Sequence, residues 1–278
     1  MTGVRTAVIT VVHRRHDHLA LQEAGLVRSE IRADIRCVVA MSDPQIKALA
    51  PAAARVVECD SATGDLPLAR ARNLGARCAL DLGAELLVFL DVDCIPGAEM
   101  IGRYVDAYRR VDGDALLAGP VTYLPPSPNR YRLESLESMT NPHPARPAPA
   151  SGVLLTEPNH DLFWSLSFAV SATAWRRIGG FDEVYVGYGA EDTDFAANAA
   201  ALNIPLIWVG GADAYHQYHP VSSPPIEHLE AIVANARTFH NRWGRWPMPG
   251  WLDAFEQNGA LARRGDDIIV TNVNRGAV

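Results

Sequence analysis

The stretch that most constrains the fold is Leu86-Leu87-Val88-Phe89-Leu90 running into Asp91-Val92-Asp93-Cys94-Ile95-Pro96-Gly97. An unbroken apolar run stopped by Pro-Gly reads as a strand buried on both faces, the kind found in a parallel sheet. Asp91 and Asp93 stand at its carboxyl end, where open α/β sheets bind their ligands. Two carboxylates held together repel and call for a cation. Oxygen ligands of this kind suit Mg²⁺ or Mn²⁺ bridging to a substrate phosphate. The bland alternative is a pair of acids that only caps the next helix.

Around this strand the apolar pattern alternates. Thr6 to Val12 and Asp34 to Ala40 read as strands, and Leu19 to Ser29 as a helix between them. Ala48 to Val57 is a short helix entering an edge strand, Ser61 to Pro67 a loop, and Leu68 to Leu82 a helix stopped by Gly83. Strand-helix alternation of this form specifies an α/β fold with a mostly parallel central sheet flanked by helices. Neither G-x-G-x-x-G nor G-x-x-x-x-G-K follows the first strand, so a nucleotide must be held in another way.

Farther on, Met100 to Val111 reads as a helix, Ala115 to Tyr123 as one strand, and the proline-rich Leu124 to Thr156 as a long loop suited to a lid or an acceptor surface. Trp164 to Ala174 is strand-like, Glu191 to Leu202 a helix with acids in its first turn, and Ile204 to Val209 a strand. Ile226 to Trp243 and Leu252 to Ala262 are read as helices, with Trp243, Trp246 and Trp251 between or beside them. Those rings would either close a small core or stack on sugar.

The net charge of −7 and the lack of any Lys/Arg block argue against a nucleic-acid partner. Cys37, Cys59, Cys78 and Cys94 show no C-x-x-C spacing and are expected to be reduced thiols of a cytoplasmic protein. No signal peptide or membrane span is expected, while docking on a membrane surface stays open.

Four features occur together and in order: the N-terminal βαβ pattern, Asp91-Val92-Asp93, Gly179-Gly180-Phe181-Asp182-Glu183, and Gly187-Tyr188-Gly189-Ala190-Glu191-Asp192-Thr193-Asp194. In this combination the chain resembles a GT-A-fold glycosyltransferase of the family 2 type. Its second half is similar to the carboxyl-terminal region of galactosyl- and N-acetylgalactosaminyltransferases. The resemblance implies a catalytic domain over residues 1–220, with a nucleotide-sugar half to about 123, an acceptor half over about 157–220, and a helical extension over 221–278.

It also implies a metal-dependent hexosyl transfer from a UDP-linked sugar to an acceptor hydroxyl, with inversion. Asp91 and Asp93 would be the D-x-D motif on Mn²⁺ or Mg²⁺, Asp93 the more direct ligand. His216 or His219 would add an imidazole, His216 being favoured. Asp192 would be the base, with Glu191 beside it. Asp43 would face the base or ribose. Arg72, Asn73, Trp164 and Gly189 would line the substrate pocket, with Ser167 shaping specificity. The usual Pro-Thr-Tyr-Asn start is replaced here by Val11-Val12-His13-Arg14, and Arg14 and Arg15 become candidates for the diphosphate. Two rival readings remain: a nucleotidyltransferase, and a non-catalytic sugar-binding protein on the same fold.

Overall fold

The structure, a computed structural model, describes residues 3–61, 65–127 and 131–271. Positions 62–64 of the expected 61–67 loop, and 128–130 of the proline-rich segment, lie outside the described residues.

In chain order the first half holds strands β1 (Thr6–Val12), β2 (Ile35–Met41), β3 (Arg55–Cys59), β4 (Leu86–Leu90), β5 (Cys94–Pro96), β6 (Leu116–Ala118) and β7 (Val121–Tyr123). Its helices are α1 (His16–Val27), α2 (Ile46–Leu49), α3 (Leu68–Asp81) and α4 (Met100–Arg110). The second half adds β8 (Leu154–Glu157), β9 (Ser167–Ser171), α5 (Ala172–Ile178), α6 (Glu191–Ala201), β10 (Leu206–Val209), β11 (Ala214–His216), α7 (Leu229–Trp243), α8 (Pro249–Gln257), β12 (Leu261–Arg264) and β13 (Asp267–Val270).

Eight strands form one sheet in the order β3-β2-β1-β4-β9-β6-β10-β8. Pairing is parallel from β3 through β2 and β1 to β4, and again between β6 and β10. β9 is antiparallel to both neighbours, and β8 closes the far edge antiparallel to β10. The strands are apolar on both sides because both sides are covered. Ala7, Ile9, Leu87 and Phe89 pack with α3, α5 and α6, while the alternate residues Val8, Leu86 and Val88 pack with α4. This is the period-two display of a strand. On the first side Phe89, Phe168, Trp175, Phe181 and Phe195 form one aromatic cluster, with Phe181 and Phe195 stacked at 4.4 Å.

Several expectations need correction. Ala115 to Tyr123 is two strands, broken at Gly119-Pro120, and they enter different sheets. The backbone approaches closely at the break: a Cβ at Gly119 would lie 2.2 Å from the Ala212 carbonyl oxygen, so only glycine fits there. The proline-rich segment is not a free loop in its described part. Leu124 and Leu136 are buried against Ile95 and Tyr215, and the segment ends in β8. Residues 164–174 divide between β9 and the start of α5, because Ser171 accepts the Ala174 N–H and so caps a helix. The expected helix over Leu252 to Ala262 ends at Gln257, and a β12–β13 hairpin follows, so the extension is not wholly helical. All four cysteines are free.

A second sheet, β5-β11-β7, sits beside the carboxyl end of β4. Its register sets Tyr215 opposite Ile95 and Thr122, and His216 opposite Cys94 and Tyr123. Residues 221–270 build their own small core, where Ile232, Val233, Leu252, Phe255, Leu261 and Ile268 pack with Trp246 and Trp251.

Phe168 is fully buried at the centre of the aromatic cluster. Phe168→Ala is expected to lower the unfolding free energy by about 3–5 kcal/mol, read from denaturant unfolding.

Candidate active site

β4 ends at Leu90, and the next four residues turn sharply, with the Cys94 N–H donating to the Asp91 carbonyl at 2.8 Å. A buried glutamine on α1 fixes this turn from behind. Gln22 donates its amide to the carbonyls of Asp91 and Cys94 at 2.7 and 2.9 Å, and its oxygen accepts from Thr10 Oγ1. Sequence reasoning did not single out Gln22. Its only local signal is a polar residue on the apolar face of α1 shared with Leu19 and Gly25.

The turn sends its two acids to different partners. Asp91 meets the buried guanidinium of Arg72, which donates to Asp91 Oδ1 at 3.2 Å and to Glu191 Oε1 at 3.0 Å. Asp93 meets two imidazoles, with His216 Nε2 and His219 Nε2 lying 3.5 and 3.4 Å from Asp93 Oδ2. The β5–β11 register brings His216 there, and the Gln217 N–H fixes it by donating to the Asp93 carbonyl at 2.7 Å.

Asp93, His216 and His219 offer ligand atoms within 4.8 Å of one another. Asp91 stands outside that set. Asp93 Oδ1 is buried without a hydrogen-bond partner, which for a charged oxygen is costly unless a cation completes it. One carboxylate and two imidazoles form a mixed donor set that fits Mn²⁺ better than Mg²⁺. Burial raises the Asp93 carboxyl, but His219, His216 and Arg15 outweigh it and hold the group below the ordinary carboxylate range. Burial lowers His216 against the pull of Asp93, which favours the neutral, ligating form.

Across the site, Gly187-Tyr188-Gly189-Ala190 feeds α6. Gly189 has φ of 94°, a left-handed conformation that favours glycine, and a Cβ there would press on Met248 Sδ at 3.1 Å. Glu191 is committed to Arg72. Among the described residues Asp192 accepts only from its neighbour Thr193, through N–H at 2.7 Å and Oγ1 at 3.3 Å. Burial and the Glu191 charge push Asp192 up to about 6, against Arg72. Burial and Asp93 push Asp91 up to about 7, against Arg72.

Asp43 closes the β2 end, where its carboxylate accepts the N–H groups of Arg14 and Gln45 and lies 2.8 Å from His16 Nε2. Burial works against it, yet these contacts hold its pKa low. Arg14 and Arg15 both have left-handed backbone, with φ of 57° and 41°. Asn73 is used on the Gly180-Phe181 turn: its amide donates to the Phe181 carbonyl and to Glu183, and its oxygen accepts the Phe181 N–H.

A row of rings runs away from the histidines. Tyr123 stacks on His216 at 4.6 Å, His143 meets Tyr123 at 5.3 Å, and Trp164 meets His143 at 5.3 Å. Ser167 faces Tyr104 at 2.9 Å in the interior.

An amide of the extension braces the loop that leads to this site. Asn235 on α7 donates to the carbonyls of Val186, Tyr188 and Gly189 at 3.0, 3.3 and 3.0 Å. The first turn of α6 is held as well, since fully buried Asp194 accepts from Trp243 and Arg242 of the extension and from Tyr185. No pattern in the sequence marks Asn235, because its partners are backbone carbonyls 46 to 49 residues away.

The sequence pattern of the family described as "Glycosyltransferase like family 2" matches residues 42–207. Validoxylamine A glucosyltransferase of Streptomyces hygroscopicus subsp. jinggangensis (strain 5008) is 29% identical over 156 residues, which is 50% of this chain and 36% of that protein. The enzyme of the same name from S. hygroscopicus subsp. limoneus is likewise 29% identical over 50% of this chain and 34% of its own length. The chain thus spans about a third of the length of these relatives. A structure of S. aureus TarS 1-349 in complex with UDP-GlcNAc superposes with a TM-score of 0.53 at 14% identity, covering 85% of this chain and 67% of that one. GalNAc-T7 with UDP, GalNAc and Mn²⁺ gives 0.60 at 11% identity, covering 93% and 58%. At such identities the likeness concerns the fold, which is GT-A.

Asn235→Ala should lower stability by about 1 kcal/mol, because it removes hydrogen bonds to three part-buried carbonyls. It should also speed amide hydrogen exchange over residues 187–191, read by mass spectrometry; unchanged exchange there would remove Asn235 from the role of brace.

Proposed function

The chain belongs to the glycosyltransferase-like family 2, and on that premise we propose that it transfers a hexose from UDP-sugar to an acceptor hydroxyl with inversion, dependent on Mn²⁺ or Mg²⁺. The observation that carries this reading is the Arg72 contact that joins Asp91 to Glu191 and so draws two unlike groups toward each other: the Asp93-His216-His219 set with its orphaned oxygen, and the uncommitted carboxylate of Asp192. UDP in the structures of TarS and GalNAc-T7, and Mn²⁺ in the latter, support the choice of donor and metal.

Asp93, His216 and His219 would hold the cation, and Mn²⁺ suits their donors. Bound there, it would supply Lewis-acid stabilisation of the charge that the departing diphosphate takes up. Asp43 orients base or ribose, and Arg15, whose charge acts on Asp93, meets a phosphate oxygen of the donor. Arg72 fixes Asp91 and Glu191, so neither is free to act as the base.

Asp192 takes the proton of the attacking hydroxyl. As the O–H bond breaks, the acceptor oxygen forms its bond to the anomeric carbon, and the bond from that carbon to the diphosphate oxygen breaks with its electron pair going to the diphosphate. Attack from the face opposite the leaving group inverts the centre. A base raised to about 6 is ionised at neutral pH and more basic than an ordinary carboxylate. Among the described residues no helix is long and apolar enough to cross a membrane.

UDP should raise the melting temperature with Mn²⁺ present and lose the effect with EDTA or in Asp93→Ala, since a ligand at a hundredfold excess over its Kd adds about 2.7 kcal/mol. Asp192→Asn should cut kcat about 10²–10⁴-fold while the Kd for UDP–Mn²⁺ stays unchanged. Protonation removes the base, so kcat/KM should fall tenfold per pH unit below about 6 and level off above it, and Asp192→Asn should abolish that limb. Full activity in Asp192→Asn would overturn the assignment of the base.

A further inference from the structure

Arg146 has no part in the chemistry above, yet it is a buried cation at the far end of the row of rings that begins on His216. It lies in the proline-rich segment, which is pinned to β7: Thr122 bridges Pro142, the His143 N–H donates to the Val121 carbonyl, and the Arg146 N–H donates to the His143 carbonyl. The residue is 8% exposed. Its Cζ lies 4.1 Å from the centre of the Trp164 ring and 5.9 Å from that of Trp208.

Arg146 Nε and Nη2 are buried and have no hydrogen-bond partner, and Trp208 Nε1 beside them has none either. Among the described residues Arg146 forms no ion pair. Burial lowers its pKa, with Tyr123, Cys94 and Asp192 opposing from a distance. Removing a guanidinium from water without an anion is costly.

Nε and Nη2 form one edge of the planar group, and that edge matches the two oxygens of a carboxylate or phosphate. Elsewhere in this protein the same edge is used in that way. Arg237 donates Nε and Nη2 to the two oxygens of Asp267 at 2.8 and 3.0 Å, and Arg36 and Arg103 direct theirs to Glu23 and Glu99. In Arg146 it is unused, and the ring row Tyr123-His143-Trp164 leads from the metal-binding histidines to it.

We propose that the Nε–Nη2 edge of Arg146 recognises an oxyanion, carboxylate or phosphate, carried by the saccharide substrate, and that the acceptor is an acidic sugar derivative. The inference rests on the glycosyl-transfer reading. Arg146 lies on the Trp164 ring, with His143 and Tyr123 between that ring and His216, so it stands outside the Asp93-His216-His219 set proposed for the donor's cation. Arg72 is already spent on two carboxylates. In a cleft lined by Asp91, Asp93, Glu191 and Asp192, an acidic acceptor needs such a counter-charge to enter at all.

The test compares wild type, Arg146→Gln and Arg146→Lys by calorimetry and thermal shift. Arg146→Lys keeps the charge but loses the planar fork, and guards against a glutamine variant that does not fold. The probes are D-glucuronate, glucose 6-phosphate and D-glucose, each with and without saturating UDP–Mn²⁺, and UDP–Mn²⁺ alone. Wild type should bind at least one acidic sugar tenfold or more tighter than glucose. Both variants should lose that preference while keeping their UDP–Mn²⁺ affinity within twofold. A tenfold loss of UDP–Mn²⁺ affinity in the variants, with no preference among sugars, would keep the oxyanion site but make the donor diphosphate its ligand. Equal binding of charged and neutral sugars by wild type, with UDP–Mn²⁺ unaffected in the variants, would overturn the proposal. Failure of wild type to bind UDP–Mn²⁺ would instead remove the glycosyl-transfer reading, and the sugar series without nucleotide would still judge Arg146.

Discussion

One buried guanidinium ties the active cleft together. Arg72 rises from α3 and donates to Asp91 at the end of β4 and to Glu191 at the start of α6, with Phe181 5.2 Å beneath it. Three elements far apart in sequence meet on this one planar group. Burial opposes its charge, but Asp91 and Glu191 together raise its pKa and keep it a cation. Removing it would leave two buried carboxylates facing each other, a far larger penalty than the loss of two hydrogen bonds. The same contact sorts the acids of the cleft: two are neutralised by Arg72, Asp93 is given to the histidines, and Asp192 is left over.

The chain states its central sheet openly. The apolar run ending in Asp91 can only be a strand covered on both faces, and the helix-strand alternation before it fixes parallel pairing. Regions where tertiary contact overrides local pattern were less legible. Ala115 to Tyr123 is β-prone on either side of Gly119-Pro120, and its division between two sheets goes with the close approach of the Ala212 carbonyl to Gly119. Proline content marks residues 124–156 as irregular but does not reveal that Leu124 and Leu136 dock on Ile95 and Tyr215. The acids and histidines of the cleft were legible because their spacing is short and their types are rare together. Gln22 and Asn235 were not, because each serves backbone carbonyls brought to it by the fold, and no residue pattern records such a partner.

The carboxyl-terminal extension has a core of its own, yet its polar residues point into the neighbouring elements. Asn235 holds the glycine loop before α6 by its backbone, and Trp243 and Arg242 hold α6 through Asp194. The left-handed Gly187 and Gly189 allow that loop to turn but do nothing to fix it. Rigid placement of Asp192 therefore depends on a helix that follows it by some forty residues. Tyr188 is held on the rim in the same way, stacked between His228 at 4.7 Å and Trp251 at 5.7 Å.

The small β5-β11-β7 sheet works as a ruler. Side chains alternate along a strand, so a shift of one position along β11 would present Tyr215 or Gln217 to Asp93 in place of His216. Insertions and deletions in this part of the chain are consequently filtered by parity. An extra residue in the turn between Val209 and Ala214 can be absorbed as slack. One inside the three residues of β11 removes an imidazole from the donor set without altering any residue that would coordinate. Length variation between natural homologues should therefore gather on the Gly210-Gly211 side of that strand and stop at Ala214.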